Sequence, residues 1–293
     1  MFKIACIGLD TSHAVKFTEL FQGSAKAVDG FRVIACQRFP SAFQSEADQD
    51  KRQKTLEDLG VKVTNSFSEA VRDADGILLE VNDPALHLDY FKQAAETGLP
   101  VFLDKPLADT VTNGKKIIEI AEAKKIKFWS SSSLRFTPEI RECCRSVAAP
   151  LVCDVYGPLG KAASGSSVVW YGVHAFEMLS VIMGRGAKCI FSRKDEKGVV
   201  SIVEYNDGRR GTVQVNECAW QYGGRAQNKD KSQSFLVNFT NAEELYAKLI
   251  NALADFFLKG TVFVPAEETL EIQAMLNGVE ASLSSGKTEK ILL

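Results

Sequence analysis

Phe2-Lys3-Ile4-Ala5-Cys6-Ile7-Gly8-Leu9-Asp10-Thr11-Ser12-His13 decides the fold. Ile4–Ile7 is a continuous apolar run ending at Gly8, and a helical pattern follows from about Ser12 to Phe21. A strand without polar alternation is covered on both faces, as in parallel sheets. The unit then recurs. Apolar runs at Phe31–Cys36, Val61–Val63, Gly76–Val81, Val101–Leu103 and Lys127–Trp129 alternate with helical patterns at Ser45–Leu59, Ser66–Arg72, Leu86–Thr97 and Thr110–Lys124. Ser66 and Glu69 stand in capping-box spacing. Residues 1–130 are therefore expected to form a doubly wound parallel sheet of the Rossmann, dinucleotide-binding type, within an α/β chain.

Beyond residue 130 the pattern changes. Thr137–Ser146 and Val168–Met183 read as helices, and Leu151–Tyr156 reads as a strand. Lys188–Arg193, Val199–Tyr205 and Gly211–Glu217 read as strands, the last two joined by the hairpin signal Asn206-Asp207-Gly208. Gln221–Ser232 is polar and reads as a loop, Ser234–Phe239 as a strand. Thr240 and Glu243 open a helix whose stripe is Leu245, Leu249, Ala252, Leu253 and Phe256, and Ala266–Ser284 is the last helix. Residues 131–293 are thus expected to be an α+β domain with an open, mostly antiparallel sheet. Its uncovered face suits a partner subunit, in a homodimer or homotetramer.

Composition excludes other classes. A chain of 293 residues favours two domains. Its 45% hydrophobic and 25% charged content is that of a soluble globular protein. A net charge of −2 offers no basic surface for nucleic acid or anionic membrane. No apolar run nears the roughly 20 residues that span a bilayer. The opening segment turns polar too soon for a signal peptide, so a cytoplasmic protein is expected. The seven cysteines are odd in number and form no Cys-x-x-Cys pair. They read as reduced and structural, and no metal site is expected.

A dinucleotide site needs Gly-x-Gly-x-x-Gly after the first strand. Here only Gly8 survives; Asp10 stands at the second glycine and His13 at the third. A carboxylate beside a diphosphate costs about 1 kcal/mol or more. Two readings are open. Asp10, Thr11 or Ser12 caps the helix, or Asp10, Ser12 and His13 face a ligand. At the end of the second strand Gln37 suits a ribose hydroxyl. Arg38 suits a 2′-phosphate, tilting the choice between NAD and NADP toward NADP, or is a surface residue. Val101-Phe102-Leu103-Asp104-Lys105-Pro106-Leu107 puts a lysine at a strand end, where open α/β sheets bind ligands. Asn82 and His87 follow the fourth strand on the same edge.

Asp104-Lys105-Pro106 is a close variant of the Glu-Lys-Pro of the glucose–fructose oxidoreductase / inositol dehydrogenase family (Gfo/Idh/MocA), which the chain resembles. Pro84-Ala85-Leu86-His87 is similar to that family's Pro-and-His turn. Leu134-Arg135-Phe136-Thr137-Pro138 resembles its entry into the second domain. Gly172-Val173-His174-Ala175-Phe176-Glu177-Met178-Leu179 resembles its Gly-x-His-x-x-Asp-Leu helix, with Glu177 for Asp. The closing Ser282–Leu293 is similar as well, so the likeness spans nearly the whole chain.

The resemblance implies an NAD(P)-dependent enzyme acting on a small sugar-like hydroxy or carbonyl compound. Lys105 would orient substrate and nicotinamide, and His174 would take the hydroxyl proton. Gly8, Asp10, Thr11, Ser12, His13, Gln37, Arg38, Asn82, His87, Asp104 and Pro106 become cofactor-side candidates, His87 alternatively structural. Arg135, Tyr156, Trp170, Tyr171 and Glu177 become substrate-side candidates. Trp170 stands where the family usually has an acid four residues before its histidine. The altered loop keeps a second reading open: a non-redox ligand-binding, lyase or isomerase relative of the same fold.

Overall fold

The computed structural model describes residues 1–239 and 242–293, and the backbone alone of 242–244. The chain runs β1 (Phe2–Ile7), α1 (His13–Gln22), β2 (Phe31–Gln37), α2 (Glu46–Asp58), β3 (Lys62–Thr64), α3 (Phe67–Val71), β4 (Gly76–Leu79), α4 (His87–Glu96), β5 (Val101–Asp104), α5 (Val111–Lys124) and β6 (Phe128–Ser131). It continues through α6 (Pro138–Ser146), β7 (Val152–Pro158), α7 (Val173–Met183), β8 (Ala187–Asp195), β9 (Gly198–Tyr205), β10 (Arg210–Asn216), β11 (Gly223–Gln227) and β12 (Ser232–Leu236). α8 (Ala242–Lys259), α9 (Ala266–Ser285) and β13 (Glu289–Lys290) close it.

Two compact units result: Met1–Ala108, Thr112–Ser130 and Asn241–Ala266 in the first, Asp109–Val111, Ser131–Thr240 and Glu267–Leu293 in the second. The first holds the parallel sheet in the order β3-β2-β1-β4-β5-β6. Ile4, Ala5, Cys6 and Ile7 are buried, as an unalternated strand requires. The order reverses between β1 and β4, so the carboxyl ends of β1, β4 and β5 form the edge where such sheets bind ligands. Half of the Ser66 capping box forms: its Oγ accepts the Glu69 N–H, while the Glu69 carboxylate accepts from Thr64 and Lys62 and the Ser66 N–H donates to Thr64.

The division does not fall at one point between 130 and 131, because α8 packs within the first unit. Its Leu249, Ile250, Leu253, Phe256 and Phe257 are buried. The Phe257 ring lies 5.2 Å from that of Phe2 and fills the space a Cβ on Gly76 would take, 2.7 Å away. Burying each such side chain stabilises by about 1.5–3 kcal/mol. The predicted capping pair Thr240…Glu243 lies outside the described residues.

The second unit carries a seven-stranded sheet, β12-β11-β7-β10-β9-β8-β13, antiparallel except for the β7–β10 pair. One face packs on α7: a Cβ on Gly211 would stand 2.6 Å from Leu179. α7 is buried almost throughout. Val168–Met183, expected as one helix, divides into a π-helical turn over Val168–Gly172 and then α7. The expected loop Gln221–Ser232 is corrected too, since β11 occupies its middle. Gly223-Gly224 carries no apolar signal, but both glycines are needed for close packing. The Tyr156 hydroxyl takes the Cβ position of Gly223, and a Cβ on Gly224 would be 2.5 Å from the Asp154 carbonyl oxygen. Among the described residues no helix is long and apolar enough to cross a membrane.

Candidate functional site

The site in the first unit is the strand-end edge. Gly8 has φ 111°, and a Cβ there would lie 2.7 Å from the Glu80 carbonyl oxygen, so only glycine fits the turn after β1. Asp10 neither caps α1 nor turns outward. Its Oδ2 accepts from Ser41 Oγ (2.7 Å), its Oδ1 accepts from the Asn82 N–H (3.2 Å), and Asn82 Nδ2 donates to its carbonyl (3.0 Å). Asp10 thus ties the turn after β1 to the turn after β4, which takes Asn82 as well. Burial raises its pKa against the lowering effect of the Ser41 and Asn82 hydrogen bonds. Thr11 Oγ1 accepts the His13 N–H (3.3 Å), while Ser12 makes no side-chain cap.

His13, in place of the third glycine, lays its Nδ1 2.7 Å from Asp104 Oδ2 and 3.7 Å from Glu80 Oε2. Its ring stacks on Phe17 (4.9 Å) and meets the edge of Tyr246 (5.3 Å). Glu80 is fully buried, and neither carboxylate oxygen has a hydrogen-bond partner. Burial, with the Asp104 charge beside it, pushes Glu80 well above the usual carboxylate range. Burial also opposes charge on Asp104, yet His13 and Lys105 hold that carboxyl below the usual range. Lys105 is buried, and its backbone N–H donates to Asp104 Oδ1 (2.9 Å). Burial lowers its pKa while the Asp104 and Glu80 charges resist. A lysine and two carboxylates buried at a strand end form an arrangement able to hold a charge or pass a proton.

The remaining cofactor-side candidates divide. His87 is fully buried with Nδ1 2.9 Å from the Pro106 carbonyl and Nε2 2.7 Å from the Val81 carbonyl. Burial lowers its pKa, and a neutral ring donates to one of the two. It clips the turn after β5 onto the exit of β4, a structural task. Gln37 is buried at the end of β2 with Oε1 unpartnered. Arg38 donates to Glu46 Oε2 (2.5 Å), Asp50 Oδ1 (2.7 Å) and Gln53 Oε1 (2.9 Å). It borders a cavity of about 540 Å³ with Phe39, Pro40, Val63, Thr64 and Asn65.

In the second unit His174 sits in the first turn of α7, its Nδ1 2.8 Å from Ser132 Oγ, which also accepts the Leu134 N–H (3.2 Å). That contact fixes the ring orientation in either tautomer. The edges of Tyr171 (5.0 Å) and Tyr222 (5.8 Å) flank it, and Trp220, 70% exposed, meets Tyr171 at 5.2 Å. Trp170 tilts against Tyr171 (5.1 Å). Three substrate-side candidates fall elsewhere. Arg135 Nε donates to Glu177 Oε2 (2.6 Å) and its Nη2 to Glu268 Oε1 (2.5 Å), so Arg135 and Glu177 neutralise each other in the interior. Tyr156 lies on the sheet face opposite the one packed on α7, because alternation puts Cys153, Val155 and Gly157 on the α7 side.

Glu80, Ser132, Tyr222, Trp220 and Glu268 escaped the sequence reading. Only Glu80 left a signal: it directly follows Gly76-Ile77-Leu78-Leu79 and so falls on the same edge as Lys105.

Residues 35–132 match the oxidoreductase family with an NAD-binding Rossmann fold, GFO_IDH_MocA; residues 8–13 lie outside that match. The rhizopine catabolism protein MocA of Rhizobium meliloti is 23% identical over 181 residues, 53% of this chain and 57% of that protein. The chain thus matches little more than half the length of this curated relative. GenD2 from gentamicin A biosynthesis, in complex with NAD, shares the fold with TM-score 0.83 at 13% identity, over 100% of this chain and 97% of that one. Scyllo-inositol dehydrogenase from Lactobacillus casei, with bound NAD(H) and scyllo-inositol, gives 0.80 at 14% identity over 99% of each chain. Residues 35–132 thus match the model of the Gfo/Idh/MocA oxidoreductases, the family that the motifs resemble.

Proposed function

We propose that the protein is an NAD-dependent oxidoreductase that moves a hydride between nicotinamide and a small, sugar-like hydroxy or carbonyl compound. The observation that carries this reading is Lys105, buried beside Asp104 at the carboxyl end of β5, on the ligand edge of a β3-β2-β1-β4-β5-β6 sheet. The residues present suit the cofactor. Gly8 preserves the tight turn, the unpartnered Gln37 Oε1 offers an acceptor for a ribose hydroxyl, and the cavity beside Arg38 has room for an adenosine. Arg38 taken alone tilts toward NADP, but its guanidinium is already bonded to Glu46 and Asp50. Those two carboxylates would repel a 2′-phosphate, which supports NAD. When bound, the nicotinamide supplies the hydride acceptor or donor.

The chain's own groups do the rest. Lys105, its pKa lowered by burial, orients the reacting oxygen. His174, steadied by Ser132, takes or returns the hydroxyl proton. Tyr171 and Trp220 offer a ring face for stacking. The seven free cysteines suit a reducing, cytoplasmic compartment. The sheet face opposite α7 exposes Phe191, Val200, Ile202 and Leu236, which supports a homodimer through that face. Light scattering of wild type and Ile202→Lys tests the assembly.

The activity test is a panel of cyclic polyols and sugars incubated with NAD, following reduced cofactor. Lys105→Ala and His174→Ala are each expected to lower kcat by about 10²–10⁴-fold with NADH affinity kept. Undiminished turnover in both variants would refute the assignment.

A further inference from the structure

We propose that His13 Nδ1, Glu80 and Asp104 form a binding site for a divalent transition cation of the zinc type. The site rests on the first unit alone and stands or falls independently of the redox reading. The three residues come from the start of α1 and the ends of β4 and β5, and their ligating atoms all lie within 4.8 Å of one another. A tetrahedral cation with bonds of about 2.0–2.2 Å holds its ligand atoms about 3.4 Å apart. The separations of 2.7 Å (His13 to Asp104) and 3.7 Å (His13 to Glu80) bracket that value.

The second observation is Glu80 itself. It is fully buried, no donor among the described residues reaches either of its oxygens, and it faces the Asp104 carboxyl and the imidazole. Two facing interior carboxyls are stable only with a shared proton or a cation between them, and a cation displaces that proton. Ser41 and Asn82 satisfy Asp10 nearby, and no such group serves Glu80. The donor set names the ion. One imidazole with two carboxylates suits zinc, iron or manganese, whereas magnesium favours oxygen ligands and water. Lys105 lies within electrostatic reach of the same two carboxyls.

The chelator-stripped full chain is titrated with Co(II) and with Zn(II), reading visible absorbance, metal content after gel filtration, and melting temperature. The wild type is expected to retain one equivalent with tetrahedral Co(II) bands and to melt higher when loaded. Glu80→Gln keeps the shape of the site, and His13→Ala removes the imidazole. Loss of an outer-shell partner of a metal costs about 10–100-fold in affinity, so loss of a ligand is expected to cost at least about 100-fold. Cys218→Ser, at the exposed thiol, should bind as wild type does. Failure of the wild type to retain either ion overturns the proposal, leaving a His13–Asp104 hydrogen bond. So does binding that survives Glu80→Gln, or that is lost in Cys218→Ser.

Discussion

Among the described residues, a buried group of charges in each unit can be compared, and the two are built differently. In the second unit Arg135 spans Glu177 and Glu268, while Ser180 Oγ also donates to Glu268 (3.0 Å). Burial and the opposed carboxylates act on Arg135 together, and the carboxylates win, raising its pKa. In the first unit Lys105, Asp104, Glu80 and His13 are gathered at the strand ends, and Glu80 keeps both oxygens without a donor. A saturated ion cluster is a structural part; removing one member strands the others. A cluster with an unsatisfied member holds capacity for a ligand or a proton, which is why perturbed groups gather at functional sites.

The largest effect that would break this contrast is expected in the saturated cluster. Arg135→Ala takes the cation from Glu177 and leaves Glu268 with the Ser180 hydroxyl, and should cost about 3–5 kcal/mol in urea unfolding. A loss under about 1 kcal/mol would mean that the cluster is not closed. Next comes Asp10→Ala, which strands the Ser41 hydroxyl and the Asn82 N–H and should cost about 1–3 kcal/mol.

Asp10→Asn sharpens the same point through pH. The folded pKa of Asp10 is raised, chiefly by burial, so the folded state holds its proton more tightly than the unfolded one. Its contribution is therefore full below the unfolded carboxylate value and is lost as pH rises through the folded value. Wild type minus Asp10→Asn stability should fall as pH rises from about 4 toward neutrality. A difference that grows with pH would reverse the assignment. The smallest effect belongs to Glu80→Gln in metal-free protein. An isosteric amide for a carboxylate with no partner should change stability by less than about 1 kcal/mol.

The same distinction explains what could be read in advance. The parallel sheet was legible because each strand is an unbroken apolar run ending in a turn. β11 was hidden because Gly223-Gly224 earns its place by letting Tyr156 and Phe235 come close, and a contact made across strands leaves no local pattern. α8 showed its stripe, but its place beside Gly76 and Phe2 depends on tertiary packing. Lys105 in the first unit and His174 in the second were visible in their motifs. Arg135 and Glu177 look like binding residues until the interior pairs them across 42 positions of chain. Tyr156 falls on the face opposite Cys153 and Val155, an alternation that the strand's sequence already carries. Glu80 stands at a strand end, and its burial is visible only in the folded chain.

The central claim is that a chain with one glycine left in its first loop still binds a nicotinamide dinucleotide, and prefers NAD. Titration of the purified protein with NADH and NADPH, followed by reduced-cofactor fluorescence, tests this most directly. The account predicts saturable NADH binding at least about 10-fold tighter than NADPH, a difference of about 1.4 kcal/mol. Folded protein that binds neither below about millimolar concentration, which is barely 4 kcal/mol of affinity, would contradict it.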